Sequence, residues 1–356
     1  MKKYISLMTV ILMVVALLTG CMGTPVVIQD CTCEDPNTPT TPSVPVTEGS
    51  VKTGLALITD SIGSASADGE TDGEVTFNNT LVAVTVDDAG VINSCIIDSI
   101  PATVSFDNSG AITSDYLEPV ITKNELGADY GMVSGSGAIA EWDEQVAALA
   151  DFAVGKSIDE LKNGAIDETG RAPEGSDLAS SATIYLGGYV SAIETAVNNA
   201  QHLGADAEDE LRLVTLNKLS SSADATADEA GLIELDADVA AVTVRDGVIT
   251  SCVIDSVQAK VNFDTTGTIT TDLSGGFPSK NELGEAYGMA AWGGAIAEWN
   301  VQAASFASYV TGKTAEEVAG IAIDEATKPA DGTDLSSSVT ISIGGFQALI
   351  AKALAE

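Results

Sequence analysis

The stretch LVAVTVDDAGVINSCII, residues 81–97, decides the fold of this chain. Two apolar runs rich in β-branched residues flank a turn sequence at residues 87–90, which predicts a strand, a glycine turn and a second strand. The same pattern returns later in the chain, where the turn is one residue shorter, at Arg245-Asp246-Gly247. A change of turn length is typical of an exposed hairpin tip.

The hairpin is part of a longer duplication. Three motifs recur at one constant offset: SCIIDS, KNELG and GAIAEW, at residues 94–99, 123–127 and 137–142, return as SCVIDS, KNELG and GAIAEW at residues 251–256, 280–284 and 294–299. A period this long indicates a duplicated domain, because solenoid repeats span only about 20–50 residues. We therefore predict tandem domains at about residues 51–203 and 204–356.

Each copy is predicted to be α+β, an antiparallel meander sheet packed with helices. Phe106 and Ile112 are expected to continue the meander beyond the hairpin. A helix that Gly155 ends is predicted next, because apolar residues recur at spacings of three and four. The members of this apolar stripe are Ile139, Trp142, Val146, Leu149 and Ala153.

Further helices complete each copy. Capping boxes at residues 157–160 and 314–317 predict a helix start in each domain, since Ser or Thr is followed three residues later by Glu. A final helix is predicted over residues 189–200 in the first copy and 346–355 in the second.

Composition excludes several classes of function. The 356 residues include 15 Lys and Arg against 52 Asp and Glu, which gives a formal charge of −37 and an isoelectric point of about 4.1. A nucleic-acid partner is excluded, because phosphate neutralisation needs clustered basic side chains. The single histidine, His202, lies between the copies, so a duplicated hydrolase with a serine–histidine pair is not expected. Five cysteines in so long a chain do not make a disulfide scaffold.

The N-terminus resembles a bacterial lipoprotein signal. Lys2 and Lys3 precede an uncharged apolar run over residues 5–18, which is shorter than a membrane span of about 20 residues. The run ends in Leu-Thr-Gly-Cys, the order of a lipobox whose cysteine, Cys21, is diacylated and becomes the first mature residue. The resemblance implies a signal peptide over residues 1–20 and a lipid anchor on the outer face of the cell membrane. An ordinary secretory signal or a short transmembrane anchor is the alternative.

A linker rich in Pro and Thr follows, from Cys21 to residue 50. Its composition predicts a semi-extended spacer that rises about 3 Å per residue. Cys31 and Cys33 lie within it, and either a redox or metal role or plain unpaired thiols fits them, since two thiols alone make no zinc site. Without the signal peptide, the remaining 13 basic and 52 acidic side chains carry a formal charge of −39.

A run of hydroxyl residues precedes the last helix of each copy. It is DLASSAT at residues 177–183 and DLSSSVT at residues 334–340. Hydroxyls that lead into a helix N-terminus favour an anion such as phosphate, because free N–H groups and the helix dipole point there. The glycine pair at residues 187–188 would let a ligand approach the backbone. A Ser/Thr helix cap with solvated neighbours is the alternative.

This run also resembles the flavinylation motif Asp-x-x-Ser/Thr-Gly-Ala-Thr of FMN-binding domains, which occur in the G subunit of Rnf and the C subunit of the sodium-pumping NADH:quinone reductase. In that family a dedicated transferase moves FMN from FAD to the last threonine and forms a phosphoester. The resemblance implies that Thr183 and Thr340 are the FMN acceptors. The other motif positions would border the cofactor: Asp177, Ser180, Ser181 and Ala182, with Asp334, Ser337, Ser338 and Val339. The chain has serine at the usual glycine position in both copies and valine at the usual alanine position in the second.

The two-domain, lipid-anchored plan is similar to the flavinylated lipoproteins of Gram-positive extracellular electron transfer, over nearly all of residues 51–356. The likeness implies that the repeated motifs surround the flavins. The residues expected there are Lys123, Glu125, Gly127, Tyr130, Met132 and Trp142, with Lys280, Glu282, Gly284, Tyr287, Met289 and Trp299. Core packing is the alternative for the aromatic residues, and balancing of local carboxylates is the alternative for the lysines.

The function implied by the resemblance is electron transfer by a surface lipoprotein that holds two covalent FMN groups and turns over no substrate of its own. The implied partners are an FAD-dependent FMN transferase, a membrane quinone or NADH dehydrogenase that supplies electrons, and extracellular acceptors or free flavins that receive them. A cofactor-free lipoprotein for solute binding, partner binding or adhesion is the alternative.

Two further features are interpreted as structural. Cys95 and Cys252 lie in predicted strands of different copies and are expected to be buried and unpaired. Residues 68–73 mimic the start of a calcium-binding EF-hand loop, but the twelfth position is Asn79 and no flanking helices are evident. A solvated acidic loop is therefore expected there.

Overall fold

The structure, a computed structural model, describes residues 49–355. Its two halves repeat one order of elements. The first half contains β1 (Lys52–Asp60), β2 (Gly73–Val86), β3 (Ile92–Phe106), α1 (Lys123–Leu126), α2 (Met132–Ser136), α3 (Trp142–Ala153), α4 (Ile158–Ala165) and α5 (Gly187–Asn198). The second half contains β4 (Glu210–Lys218), β5 (Gly231–Arg245), β6 (Val248–Phe263), α6 (Lys280–Leu283), α7 (Met289–Gly293), α8 (Trp299–Val310), α9 (Ala315–Ala319) and α10 (Gly344–Ala355).

Each half contains a three-stranded antiparallel sheet, β1-β2-β3 or β4-β5-β6. The predicted hairpin is confirmed, with β2 and β3 on either side of a turn in which the Asp87 carboxylate accepts backbone N–H groups and Gly90 has a φ of 79°. Ile112 does not extend the meander, because it forms only an isolated bridge with Phe106. The chain is therefore mixed α+β, as predicted, with two separate sheets of three strands.

The described chain has four layers, in the order helix, sheet, sheet and helix. One face of each sheet packs against the other sheet in a shared apolar core. The opposite face of the first sheet packs against α3, α4 and α5, and that of the second sheet packs against α8, α9 and α10. Because the strands are buried on both faces over much of their length, they are continuous apolar runs in the sequence, as at residues 81–86.

The two halves meet through equivalent residues. Phe106 and Phe263, which hold the same position in the two copies, stack with their ring centroids 4.2 Å apart. A backbone hydrogen bond of 2.9 Å joins the Ala67 N–H to the carbonyl oxygen of Gly267. The equivalent bond, from the Ala225 N–H to the carbonyl oxygen of Gly110, is 2.8 Å long. The two copies therefore share one core.

The apolar stripe of the first copy forms α3, but this helix begins later than predicted. It starts at Trp142, and Ile139 lies before it with 56% of its surface exposed, so the prediction that Ile139 belongs to the stripe is wrong. The reason is local. Glu141 has extended backbone and forms a capping box with Glu144, so Glu141 is the N-cap and the helix starts at the next residue.

The remaining helix predictions agree with the structure to within two residues. Capping boxes at Ser157 and Thr314 begin α4 and α9, as predicted. The final helices α5 and α10 begin at Gly187 and Gly344, two residues before the predicted starts. The glycine pairs therefore form the first turns of these helices instead of the loops before them.

Several predictions concern residues outside the described range: the signal peptide, the lipidation of Cys21, and the linker thiols Cys31 and Cys33. Within residues 49–355, no helix combines the length and apolar character needed to cross a membrane. The acidic loop near Asp68 is an ordinary turn in which this carboxylate accepts two backbone N–H groups. No group of three or more potential metal ligands of the His, Cys, Asp or Glu type occurs in this same part of the chain.

Candidate functional site

A buried glutamine from a neighbouring helix holds each predicted acceptor threonine. The Gln145 side-chain oxygen accepts hydrogen bonds from the N–H groups of Thr183 at 2.8 Å and Ile184 at 3.2 Å, and from the Thr183 hydroxyl at 3.3 Å. The Gln302 oxygen lies 2.8 Å from the Thr340 nitrogen and 3.2 Å from its hydroxyl oxygen. Thr183 is exposed and Thr340 is half-buried, and the backbone N–H of each is held by the glutamine.

The GAIAEW motif supports this glutamine. The Gln145 amide donates to the carbonyl oxygen of Ala140 at 2.9 Å. The carboxylate of Glu141 accepts the N–H groups of Met132 at 2.7 Å and Val133 at 3.0 Å, which joins α2 to α3. The second half repeats all three bonds at its equivalent positions. The motif therefore recurs because it positions the threonine through backbone and side-chain hydrogen bonds.

The SCIIDS and KNELG motifs recur together because they bind each other. In the second half, the Asp255 carboxylate accepts the N–H of Asn281 at 3.0 Å, and the Asn281 amide donates to the carbonyl oxygen of Ile254 at 2.9 Å. Asp98 and Asn124 form the same pair of bonds in the first half. Burial raises the pKa of Asp98, and it raises the pKa of Asp255 to about 6. These bonds anchor α1 and α6 to the last strand of each sheet.

This anchoring places one lysine of each half against two aromatic rings. The Lys123 ammonium lies 4.9 Å from the ring centroids of both Tyr130 and Trp142, and the equivalent distances from Lys280 are 5.6 and 5.0 Å. These are cation–π distances. Only 8% of the Lys280 surface is exposed, and burial lowers the pKa of its ammonium. The predicted lysines and aromatic residues therefore lie together in both halves.

The two tryptophans are core residues. Trp142 is 3% exposed, and its ring N–H donates to the Tyr189 hydroxyl at 3.0 Å. Its ring therefore has no open face on which a flavin could stack, and the core-packing alternative applies to it. Trp299 is 5% exposed but lies at the edge of a cleft.

The predicted motif residues before each threonine divide into buried and exposed positions. Ala182 and Val339 belong to the core, so their side chains do not reach the surface beside the threonines. Ser181 and Ser338 are exposed next to them. The structure therefore brings the serines, but not the alanine or valine side chain, to the surface where an attached group would lie.

Asp177 and Asp334 precede short 3-10 helices and make no side-chain capping bond. The hydroxyls of Ser180 and Ser337 donate to the carbonyl oxygens of these aspartates at 2.6 and 2.8 Å. The hydroxyl run does not lead directly into the last helix, because three residues separate Thr183 from the first turn of α5. The run ends instead at a threonine whose backbone N–H is bound by the glutamine.

The remaining predicted residues have structural contacts of their own. Glu125 and Glu282 complete the capping boxes of α1 and α6, and Glu125 also pairs with Lys352 of the second half. Gly127 and Gly284 end these helices with φ near 48° and 47°, which glycine adopts readily. The Met289 sulfur lies 3.8 Å from the Gln302 amide nitrogen, and Met132 packs against the equivalent core of the first half.

Sequence reasoning missed a basic side chain beside Thr183. The Arg171 guanidinium donates to the carbonyl oxygen of Thr183. Lys328 holds the corresponding position in the second copy, at the offset that relates Ser94 to Ser251. A basic residue that recurs at this offset in so acidic a chain was the signal that could have identified the pair.

A cleft of about 410 Å³ lies between the second sheet and α10, and its polar residues were also missed. Asp238 on β5 and Gln258 on β6 line it together with the predicted Lys280 and Trp299. Burial raises the pKa of Asp238. A second cleft, of about 400 Å³, lies at the seam between the halves, where Lys352 closes one side.

Within residues 49–355, the two cysteines and the histidine show no arrangement for nucleophilic catalysis. Cys252 is buried and Cys95 is half-buried, and both are unpaired. Burial raises the pKa of both thiols to about 12, which leaves them protonated and unreactive at neutral pH. His202 lies 2.8 Å from the Asp88 carboxylate on the surface.

Comparisons of the chain with protein-family models, with curated proteins and with solved structures found no match.

Proposed function

We propose that this protein is a surface-anchored electron carrier with two FMN groups, bound covalently by phosphoesters to Thr183 and Thr340. The observation that carries the proposal is the pairing of each threonine with a buried glutamine. This pairing holds a threonine that is exposed or half-buried at the equivalent place in both halves, which supports the same role for both. The resemblance of the surrounding residues to a flavinylation motif supports the same assignment.

Attachment requires little chemistry from this chain. The threonine oxygen forms a bond to the flavin-side phosphorus of FAD, the pyrophosphate bond breaks, AMP leaves, and the hydroxyl proton passes to a base of the FMN transferase. The glutamine oxygen accepts the hydroxyl hydrogen bond and so orients the threonine oxygen. Bound FMN would then supply the redox chemistry, and the protein would bind, orient and shield it.

The surroundings of the two threonines fit a flavin phosphate and ring. Arg171 contacts Thr183, and Lys328 holds the same position in the second copy, so each phosphate would have a basic side chain nearby. Apolar side chains are also exposed close to this part of the fold. Ile139 and Ile296 lie within the GAIAEW motifs, and Trp292 in α7 is 91% exposed.

Covalent attachment suits a carrier outside the cell. The lipobox at Cys21 and the Pro/Thr linker support export and lipid anchoring. An exported protein cannot recapture a dissociated cofactor from the cytoplasm, and a phosphoester removes that loss. Electrons would come from a membrane quinone or NADH dehydrogenase and pass to extracellular acceptors or free flavins, with no substrate turnover by the protein itself.

Mass spectrometry of flavin-bearing peptides tests the proposal. The mature chain is produced together with a flavin transferase, denatured in guanidine and digested. We expect one FMN on each of the peptides that contain Thr183 and Thr340, and the variants Thr183→Val and Thr340→Val each lose one flavin. Thr103→Val, at an exposed strand position on β3, is the control and keeps both.

A colourless protein after denaturation, or flavin retained in both threonine variants, would contradict the covalent assignment. A colourless protein would favour the cofactor-free alternative of a solute-binding, partner-binding or adhesion lipoprotein. Flavin at other residues would keep the carrier function and move the acceptor sites.

A further inference from the structure

The cleft beside Trp299 is lined by a lysine that makes no side-chain hydrogen bond. Lys280 is 8% exposed, and within residues 49–355 its ammonium contacts the rings of Tyr287 and Trp299 but no hydrogen-bond acceptor. An ammonium carries three donors, and those of Lys280 are open to the cleft. Because Lys280 lines the cleft, a ligand with carbonyl or ring-nitrogen acceptors would satisfy these donors.

Two polar side chains from the neighbouring strands line the cleft with Lys280: a carboxylate, which accepts hydrogen bonds, and an amide, which accepts and donates them. Asp238 on β5 and Gln258 on β6 line the same cleft. The Asp238 carboxylate reaches the first turn of α10, where a Cβ built on Gly345 would lie 3.3 Å from its oxygen. The positive end of the helix dipole stabilises a carboxylate there. Lys218 and Asp236 also line the cleft. They form a salt bridge with each other at 3.3 Å, so neither charge needs a ligand to balance it.

The cleft has an aromatic side and a volume suited to a small molecule. Trp299 and Phe346 both line it and pack edge to face, with ring centroids 5.8 Å apart and planes at 79°. Its volume of about 410 Å³ lies within the range of about 300–1,000 Å³ typical of small-molecule sites. Ser342 lines the cleft two residues after Thr340, so a group tethered to that threonine would begin beside its entrance.

We propose that this cleft binds the flavin ring attached at Thr340, with Lys280 donating to the carbonyl edge of the pyrimidine ring and with Asp238 and Gln258 accepting its imide N–H. The covalent attachment of the ring to Thr340 rests on the proposed function. The hydrogen bonds to the ring do not, because the cleft would bind any planar heterocycle with an imide edge.

The first half is not equipped in the same way. By strand pairing, Thr80 and Pro101 hold the positions of Asp238 and Gln258, while Lys123 is retained. The ring at Thr183 would therefore lack the carboxylate and the amide. The two flavins consequently occupy different polar surroundings, and their reduction potentials differ.

The full-length mature protein with Thr183→Val, which carries its single flavin at Thr340, tests the inference. Asp238→Asn removes a negative charge beside the ring, so we expect the reduction potential at pH 8 to rise, because a carboxylate opposes the gain of electrons. Gln258→Leu should increase the flavin fluorescence by loosening the ring from Trp299. Asp246→Asn, the same charge change at the hairpin tip, is the control and should leave both signals unchanged.

Lumiflavin, which is the ring without phosphate, tests the cleft in the chain that carries no covalent flavin. We expect saturable binding that Gln258→Leu weakens about tenfold, as for the loss of a hydrogen bond to a buried polar group. Asp238→Asn should also weaken it, because a charge-assisted hydrogen bond becomes a neutral one. Equal binding by these variants and by Asp246→Asn, or no binding, would overturn the inference even where Thr340 is flavinylated. Binding of lumiflavin to a chain that is never flavinylated would overturn the covalent assignment and leave the cleft site standing.

Discussion

Asp255 keeps its carboxylate in the interior because the N–H groups of Ser256 and Asn281 both donate to it, at 2.7 and 3.0 Å. These bonds favour the charged form, but burial opposes it more strongly and raises the pKa of Asp255 to about 6. Asp98 repeats the arrangement in the first half. The buried Asp255 carboxylate therefore lowers the stability of the protein at neutral pH. Its hydrogen bond to Asn281 holds the start of α6 and so fixes the position of Lys280.

Asp255→Asn should remove a pH dependence of stability. The folded pKa of about 6 lies above the ordinary value of 3.8, so the contribution of Asp255 to stability is fully present below pH 3.8 and lost as the pH rises through 6. Asparagine keeps the acceptor oxygen without the charge. We expect the free energy of unfolding of the variant, relative to the parent, to increase by about 3 kcal/mol between pH 3.5 and pH 7.5.

Urea titrations at several pH values would measure this difference. Asp246→Asn, on the exposed hairpin tip with a φ of 51° that asparagine tolerates, provides the matched control. A difference between Asp255→Asn and the parent that is flat with pH would mean that the buried carboxyl does not titrate as described.

At the level of elements, each acceptor threonine is held by a side chain from a neighbouring helix, in addition to the turn that precedes it. Gln145 on α3 contributes one oxygen to two backbone N–H groups of the loop and one amide to the carbonyl oxygen of Ala140. Glu141 joins α2 to the same helix. The Gln145 side chain therefore connects the acceptor loop to the segment just before α3.

Gln145→Met should destabilise the protein and loosen the first acceptor loop. Methionine has a similar volume but leaves the N–H groups of Thr183 and Ile184 without their acceptor. We expect a loss of about 2–4 kcal/mol in the free energy of unfolding, because each unsatisfied buried group costs about 1–3 kcal/mol. Chemical denaturation measures this loss, and hydrogen exchange should show faster exchange at residues 183 and 184.

Gln201→Met is the matched control. This glutamine is exposed, and its hydrogen bonds to Thr53 are made by its backbone, which the substitution keeps. Its effect should stay within about 0.5 kcal/mol. A Gln145→Met protein as stable as this control would show that the loop N–H groups find other partners.

At the scale of the whole molecule, the shared core makes the two copies one cooperative unit. The inner faces of both sheets bury each other, and Phe106 stacks on Phe263 at the centre. The acceptor threonines lie with the two outer helix layers, braced by α3 and α8. Because stacked layers are about 10 Å apart, the intervening sheets separate the two sites, which face different sides of the molecule.

Phe263→Ala should lower the unfolding temperature of the entire described region. Removing a buried aromatic ring costs about 3–5 kcal/mol, which corresponds to roughly 5 °C for a unit of this size. Scanning calorimetry of the full chain should show one transition that shifts as a whole. Trp292→Ala, which removes an aromatic ring that is 91% exposed, is the control and should leave the transition in place.

Two resolved transitions, of which only one responds to Phe263→Ala, would show that the copies unfold independently. That outcome would mean that the packing between the two sheets does not couple the unfolding of the two copies.

The sequence determined the local features of this protein. The hairpin around residues 87–90, the capping boxes at Ser157 and Thr314, and the recurrence of the motifs follow from backbone preferences and from hydrogen bonds between close neighbours. The predicted lysine and aromatic residues of each copy also lie together, because the repeated motifs that contain them are hydrogen-bonded to one another. Ile139 was misplaced because apolar spacing alone does not mark where a capping residue ends a helix.

Tertiary structure decided the rest. The sheets pair face to face because each strand is apolar on both faces, and the sequence pattern does not say which layer covers which face. Likewise, Asp238, Gln258 and Lys280 come from separate elements, and their meeting in one cleft depends on strand register and helix packing. Long-range contacts of this kind depend on how whole surfaces fit together, which no local pattern of residues encodes.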